Sequence, residues 1–370
     1  MAALIAGLVV AIPAPAKTVV GTNRPDVLRG TERSDKLYGK GGHDRLYGLG
    51  GNDLLVGGPG RDLLEGADGN DLLLTRDGVQ DAVRCGPGRD AAVVDVRDRV
   101  HTNCESVLRP APTPETFVIA GAGDIATRRS YDEETALLVA KIDPDVVFTT
   151  GDNAYPDGSL SDFETSYHPT WGRFKERTRP IPGNHDYHTV GASGYFTYFG
   201  SRAPAPYYSY NLGSWHLVAL NSEISMKAGS AQHAWLMKDL AASTARCTIA
   251  YWHRPRYTSG KYSDFTTTAP LWELLYAEGA ELVLNGHDHN YQRFRPLDTK
   301  GQLDPGRGIR EIVVGTGGAG LYPLRSDSRR EAAQARVNGV LEVTLRPDGY
   351  DWTFHPVSGS FLDSGSAACH

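Results

Sequence analysis

The chain divides by the rhythm of its apolar positions. Between residues 21 and 74 leucine recurs every nine residues, at Leu28, Leu37, Leu46, Leu55, Leu64 and Leu73. Each is the eighth residue of a unit that opens on glycine: Gly21, Gly30, Gly39, Gly48, Gly57 and Gly66. Aspartate stands sixth in all of them, at Asp26, Asp35, Asp44, Asp53, Asp62 and Asp71. Asp81 and Asp90 continue the pattern after a one-residue slip, as a degenerate cap. Strict register of this kind marks a stacked coil of short strands. The glycines permit its tight turns, and the leucines point inward to share one apolar core that no single unit buries alone. From residue 116 the rhythm changes. Strand-length apolar runs (FVIAGA, DVVFTT, SWHLVAL, CTIAYW, ELVLN, REIVV) alternate with the helical patterns YDEETALLVAKID and SAQHAWLMKDLAAST. Such alternation predicts a layered α/β fold, whose ligands collect where strands run out into loops.

Three prolines, Pro110, Pro112 and Pro114, make a stiff connector over residues 109–115. It separates a repeat region, 17–108, from a second domain, 116–370. At the other end, the apolar run Ala2–Ile12 is followed by PAPA, a pattern that predicts a signal peptide over 1–16 and hence a secreted protein. The run is too short to span a bilayer, and no other segment approaches that length. Four cysteines fit an oxidising compartment. Their placement favours Cys85–Cys104 and Cys247–Cys369, one bridge per domain, and CxxC metal spacing is absent. The formal charge of −6 supplies no basic field. Nucleic acid and anionic membrane are therefore not expected as main partners. An anionic substrate would need positive charge built into its site, and metal ions are the obvious source. Oligomeric state is not readable.

The aspartates of the repeats supply hard carboxylate oxygens and the turns supply carbonyls, a set suited to Ca²⁺. Without cation the aligned carboxylates repel, so folding is expected to need calcium. The units GKGGHDRLY, GLGGNDLLV, GGPGRDLLE and GADGNDLLL resemble the RTX, or haemolysin-type, repeat. That resemblance implies a calcium-binding parallel β-roll, with Asp26, Asp35, Asp44, Asp53, Asp62 and Asp71 as calcium residues. The first two units lack the inner glycines and are expected to bind weakly or to cap the roll.

In the second domain the chemistry-bearing residues sit at strand exits: Asp124 in GDIA, Asp152 and Tyr155 in GDNAY, Asn184 and His185 in GNHD, His253 in YWHRP, His287 and His289 in GHDH. All the ligand types are oxygen or nitrogen donors, and their glycine neighbours allow tight turns. A two-metal hydrolytic site needs this: a bridging carboxylate, separate ligands on each ion, and open positions for water and phosphate. These blocks, in this order, resemble the calcineurin-like metallophosphoesterases, specifically the purple acid phosphatase branch. The resemblance covers residues 116 to 360 and implies a four-layer α/β fold, a β-sandwich flanked by helices. It implies that Asp124, Asp152, Tyr155 and His289 hold one metal and that Asn184, His253 and His287 hold the second, with Asp152 bridging. Most relatives carry histidine two residues after the first aspartate, where Ala126 stands here; the resemblance to the purple acid phosphatase branch implies that a Tyr155 phenolate takes its place. Deprotonating a phenol near neutral pH takes a strongly charged ion, which favours Fe³⁺ beside Fe²⁺, Zn²⁺ or Mn²⁺.

The activity so implied is hydrolysis of phosphate monoesters by attack of metal-bound hydroxide, with His185 as general acid. Two rival readings stand beside it. One is a phosphodiesterase acting on cyclic nucleotides or other diesters, since residues 156–180 and 186–210 form the rim and their shape is unread. The other is a calcium-dependent surface or matrix binding protein with an inactive phosphoesterase-like domain. Arg254 and Arg256 are open between phosphate contact and solvated loop charge. Asp186 and Asp288 read as support or solvated residues, and His101, His168, His216, His233 and His355 as structural.

Overall fold

The computed structural model describes residues 16–77, 79–95, 98–109, 116–127 and 131–370. The expected signal segment and most of the proline connector lie outside the described residues. Two compact units, Met1–Thr113 and Pro114–His370, divide the chain.

In the first unit successive repeats feed opposite sheets. The strands Val27–Arg29, Arg45–Gly50, Leu63–Asp68, Ala82–Arg84 and Arg99–Val100 pair in parallel in one sheet. Thr18–Val20, Lys36–Tyr38, Leu54–Val56, Leu72–Leu74, Ala91–Val93 and Ser106–Leu108 form the other. Leu46 pairs with Leu64 and Leu37 with Leu55, so nine residues make half a coil and two units make a full one. This is a parallel β-roll. The side-chain period of a strand sends the central residue of each triplet inward. Leu37, Leu46, Leu55, Leu64 and Leu73 are fully buried in one core with Val83, Cys85 and Ala92. Each is worth about 1.5–3 kcal/mol of apolar burial. Where the sequence slips by one, Leu64 pairs with Val83 and the extra residue is taken up between strands. Cys85 and Cys104 are bridged, with Cα atoms 5.1 Å apart.

The second unit is built on two mixed sheets. One orders its strands as Thr178–Arg179, Val146–Thr149, Phe117–Ala122, Gly339–Arg346, Gly349–Pro356 and Asp363–Ala368. The other runs Tyr208–Leu212, Trp215–Ala219, Cys247–Tyr251, Leu282–Asn285, Arg310–Val314, Tyr291–Phe294 and Arg330–Gln334. Ile119, Val147 and Val343 of the first sheet share a buried core with Leu217, Ile249 and Ile312 of the second, so the sheets form a sandwich. The helix Asp132–Ile142 adds Ala136 and Val139 to this core. The helices Ala231–Ala242 and Ala269–Ala277 pack Leu236, Leu240, Trp272 and Leu275 against Val218, Ala250 and Val283 on the second sheet's other face. This is the four-layer metallophosphoesterase fold. Cys247 and Cys369 are also bridged, with Cα atoms 5.7 Å apart.

Between residues 160 and 199 the chain forms short helical turns rather than open rim loops. Leu160–Asp162, Phe163–Tyr167 and Ser193–Phe199 pack on one another, and Trp171–Arg177 packs on the helix Asp132–Ile142. Phe163 stacks on Tyr198 at 4.9 Å, and Tyr167 meets Phe199 edge-on at 5.6 Å. Tyr167, Tyr195 and Tyr198, in a stretch that reads as rim in sequence, are buried as its core.

Candidate metal centre

Phe117–Ala122, Val146–Thr149, Cys247–Tyr251 and Leu282–Asn285 end on the same side and hand over to the loops carrying Asp124, Asp152, His253 and His287. Three of these residues take the left-handed backbone region: Asp124 at φ 58°, Asp152 at φ 49° and His287 at φ 68°. Such strain persists where the surroundings over-determine it. Here the neighbouring glycines make room: a Cβ at Gly151 would lie 2.6 Å from the His253 ring, and one at Gly286 would lie 2.7 Å from Asp124 Oδ2.

The structure brings all seven expected donors together in two groups that share one atom. Tyr155 Oη lies 3.0 Å from Asp124 Oδ1, 3.1 Å from Asp152 Oδ2 and 3.1 Å from His289 Nε2. His253 Nε2 lies 3.3 Å from the same Asp152 Oδ2, 3.2 Å from Asn184 Oδ1 and 3.1 Å from His287 Nδ1. Donors held about 2.1 Å from one ion and at right angles stand about 3.0 Å apart, so both groups have the spacing of a coordination shell.

Four of the seven donors are aimed by a bond on the far side. His253 Nδ1–H donates to the Thr150 carbonyl at 2.8 Å, and His289 Nδ1–H to the Gly320 carbonyl at 2.7 Å. That leaves both Nε2 lone pairs facing the centre. Asp152 Oδ1 accepts from the His185 backbone N–H at 2.8 Å, which frees Oδ2. Asp124 Oδ2 accepts from the His287 backbone N–H at 2.8 Å, which frees Oδ1. Asp124, Asp152 and His253 are at most 1% exposed. Burial pushes the Tyr155 phenol well above its ordinary range, and Asp124 and Asp152 add to the rise. Burial opposes charge on His253, but Asp152 outweighs it and holds the imidazole up to about 10. A bound cation would satisfy the same carboxylates, so binding would release that proton.

His185 stands at the edge of the centre. Its Nε2 is 4.0 Å from Asp152 Oδ2, its Nδ1 is 2.6 Å from the Pro156 carbonyl, and its ring packs 4.4 Å from Tyr155. His188 lies behind it at 4.6 Å and is held by Asp157 at 3.1 Å. Asp186 faces away from the donors. Its Oδ2 accepts from Gly183 N, Asn153 N and Asn153 Nδ2 at 2.9–3.2 Å, which joins the GDNAY and GNHD loops. Asp288 likewise ties the Thr258 hydroxyl and the Lys261 N–H to the GHDH loop. Both aspartates lie inside the sequence motifs, which is the signal that marks them. Two other contributors carry no such signal: Tyr262 stacks on His287 at 4.2 Å and Tyr322 on His289 at 4.0 Å. The remaining histidines are tied up away from the centre. His168 bonds Tyr198, His216 bonds Asp239 and His355 bonds Glu342.

In the first unit the aspartates form two ladders. The N–H of Asp26, Asp44, Asp62 and Asp81 donates to Oδ1 of Asp44, Asp62, Asp81 and Asp98 in turn. The other ladder runs Asp35, Asp53, Asp71, Asp90 and Glu105. Asp98 and Glu105 went unassigned in sequence because they break the nine-residue spacing. In Asp26 and Asp35 the second oxygen, Oδ2, is taken by the N–H and hydroxyl of Thr22 and Thr31. In the later units Lys40, Leu49, Gly58 and Ala67 stand in place of these threonines, all with positive φ. There Oδ2 of Asp44, Asp53, Asp62, Asp71, Asp81 and Asp90 is buried without a hydrogen-bond partner. The space that a Cβ at Gly48 would fill lies against Asp53 Oδ2 and 2.6 Å from the Gly66 carbonyl oxygen. Orphaned carboxylate oxygens beside carbonyl oxygens fit a hard cation.

Residues 117–291 match the calcineurin-like phosphoesterase family. The chain carries a calcineurin-like phosphoesterase domain. In front of this phosphoesterase domain, residues 20–55 and 47–79 match the RTX calcium-binding nonapeptide repeat. Over 275 residues the chain is 30% identical to purple acid phosphatase 15 of Arabidopsis thaliana, covering 64% of this chain and 50% of that relative. Purple acid phosphatase 23 of the same plant is 26% identical over 276 residues, covering 64% and 58%. The chain thus spans about half the length of the curated relatives it matches. A solved purple acid phosphatase from yellow lupin (Lupinus luteus) seeds shares the fold of the phosphoesterase domain. Its TM-score is 0.57 at 18% identity, over 70% of this chain and 55% of that one.

Proposed function

We propose that the phosphoesterase domain is a dinuclear metal enzyme that hydrolyses phosphate monoesters outside the cell. The observation that carries this reading is the sharing of Asp152 Oδ2 by two complete donor groups. Asp124, Asp152, Tyr155 and His289 would hold one ion, and Asp152, Asn184, His253 and His287 the other. Bound there, the ions would neutralise the phosphoryl oxygens and lower the pKa of a coordinated water. The chain's own part is orientation and proton transfer. The carbonyls behind His253 and His289 and the backbone N–H groups behind Asp124 and Asp152 fix the donors before substrate arrives, so little reorganisation is left for the reaction. His185 keeps Nδ1 on the Pro156 carbonyl and presents Nε2 to the centre, the placement of a general acid for the leaving oxygen. Tyr155 favours Fe³⁺ at its site. A phenol buried between two carboxylates ionises only against a strongly charged cation. The second ion is Fe²⁺, Zn²⁺ or Mn²⁺. In the repeats, Oδ2 of Asp44 through Asp90 would bind calcium, with Asp26 and Asp35 capping the roll. Two disulfides and the calcium-binding repeat match support an extracellular site of action.

The test is turnover of 4-nitrophenyl phosphate against bis(4-nitrophenyl) phosphate, which share a chromophore. The monoester is expected to be the better substrate. Faster turnover of the diester would move the reading to a phosphodiesterase, and turnover of neither would end it.

A further inference from the structure

Beside the metal centre lies a groove of about 770 Å³, walled by Ile224, Met226, Phe265 and Pro270. We infer that this groove receives the leaving group of the ester and selects flat, aromatic groups of nucleoside size. The inference rests on the phosphoesterase reading above. Three observations join the groove to the centre. Phe265 meets the His287 ring edge-on at 5.1 Å. His287 faces the other donors through Nδ1, so its Nε2 edge is turned toward Arg254, whose Nη1 is 3.4 Å away. Arg254 is held in place by Glu223, which accepts from Nε at 2.8 Å and from Nη2 at 3.0 Å. The guanidinium is thereby locked with Nη1 beside the His287 ring, a fixed cation lining the groove.

Beyond Arg254 the groove changes character. Met226 is buried, Ile224, Phe265 and Pro270 are half-buried, and Lys227 is exposed at the outer end. A phenyl ring and a thioether offer an aromatic ligand an offset stack and a sulfur contact. The volume falls in the range of sites for compact organic ligands and is far larger than a glycerol moiety needs. Cations at both ends suit a substrate that is anionic overall. A small alkyl ester would make the Arg254 contact but leave the apolar walls wet.

The experiment compares kcat/KM for adenosine 5′-monophosphate and glycerol 3-phosphate. Both release an alkyl alcohol, so their intrinsic reactivities are close. The whole chain with metals bound should prefer the nucleotide by about tenfold, the worth of one good aromatic contact. Phe265→Ala should shrink that ratio toward one, and so should Thr267→Trp, which fills the groove from its rim. Calorimetric binding of the phosphonate analogue of adenosine monophosphate, against methylphosphonate, gives a readout independent of turnover and should follow the same order. A ratio unmoved by both variants, or a wild-type preference for glycerol 3-phosphate, overturns the inference. Hydrolysis of neither ester would overturn the phosphoesterase reading instead, and the phosphonate comparison would still decide the groove.

Discussion

Tyr155 is where a single side chain decides the most. Buried against two carboxylates, its phenol gives up a proton only to a strong cation. Tyr155→Phe is therefore expected to abolish a tyrosinate–iron band in the visible spectrum while leaving the fold intact by circular dichroism. An unchanged spectrum would remove the phenolate from the account. His185 acts on a different step. Its replacement by Asn should slow hydrolysis of alkyl esters by about 10²–10⁴-fold, the usual worth of a general acid. An ester of 4-nitrophenol, whose leaving group needs no proton, should be slowed far less. Equal losses on both would make His185 a positioning residue. The seven donors were legible in sequence because each sits in a short motif, and all but His253 in one that contains glycine. The stacking of Tyr262 and Tyr322 was not, because those tyrosines reach His287 and His289 only through the folded loops. Arg254 stood open between two roles; its bidentate hold by Glu223, 31 positions away, is a tertiary fact.

At the scale of the element, the repeat strands depend on what lies between the turns. Burial pushes Asp53, Asp62 and Asp71 up to about 6 and Asp81 up to about 7 when no cation is bound, and neighbouring carboxylates add to the rise. The unfolded chain keeps them near 3.8. The folded, calcium-free unit thus holds more protons than the unfolded one between about pH 4 and pH 7, and its stability falls as pH rises through that window. Circular dichroism melts in chelator should show a lower Tm at pH 7.5 than at pH 5. Saturating calcium should remove or reverse the trend. A chelated Tm independent of pH would contradict the ladder. The core can be probed separately: Leu55→Ala should cost about 2–5 kcal/mol, since it opens a cavity among fully buried leucines. The roll was legible because its side-chain rhythm is strict. The end of the ladder at Asp98 and Glu105 was not, because irregular spacing hides residues that the coil brings back into line. The turns between residues 160 and 199 were also unreadable, since tyrosines that serve as core look like rim in sequence.

The whole molecule is two units, each with its own core and its own disulfide. Calcium and the metal pair therefore act on different parts of the chain. Calorimetry is expected to resolve two transitions, of which only one moves when calcium is chelated with EGTA, and the second unit should keep its metal content. A single transition that shifts as a whole would mean that the units unfold together. Layer order in the second unit could be anticipated from alternating strands and helices. The order of strands within each sheet could not, because pairing is set by contacts between segments far apart in sequence, such as Phe117–Ala122 against Gly339–Arg346.

All of the chemistry depends on two donor groups meeting at Asp152. Elemental mass spectrometry on the folded chain, after calcium is removed, tests this most directly. Two transition-metal ions per wild-type chain are predicted, with loss of most of both in Asp152→Ala, since that one carboxylate serves each. A folded wild-type chain that holds no transition metal when the ions are supplied, or an Asp152→Ala chain that keeps both, would contradict the account.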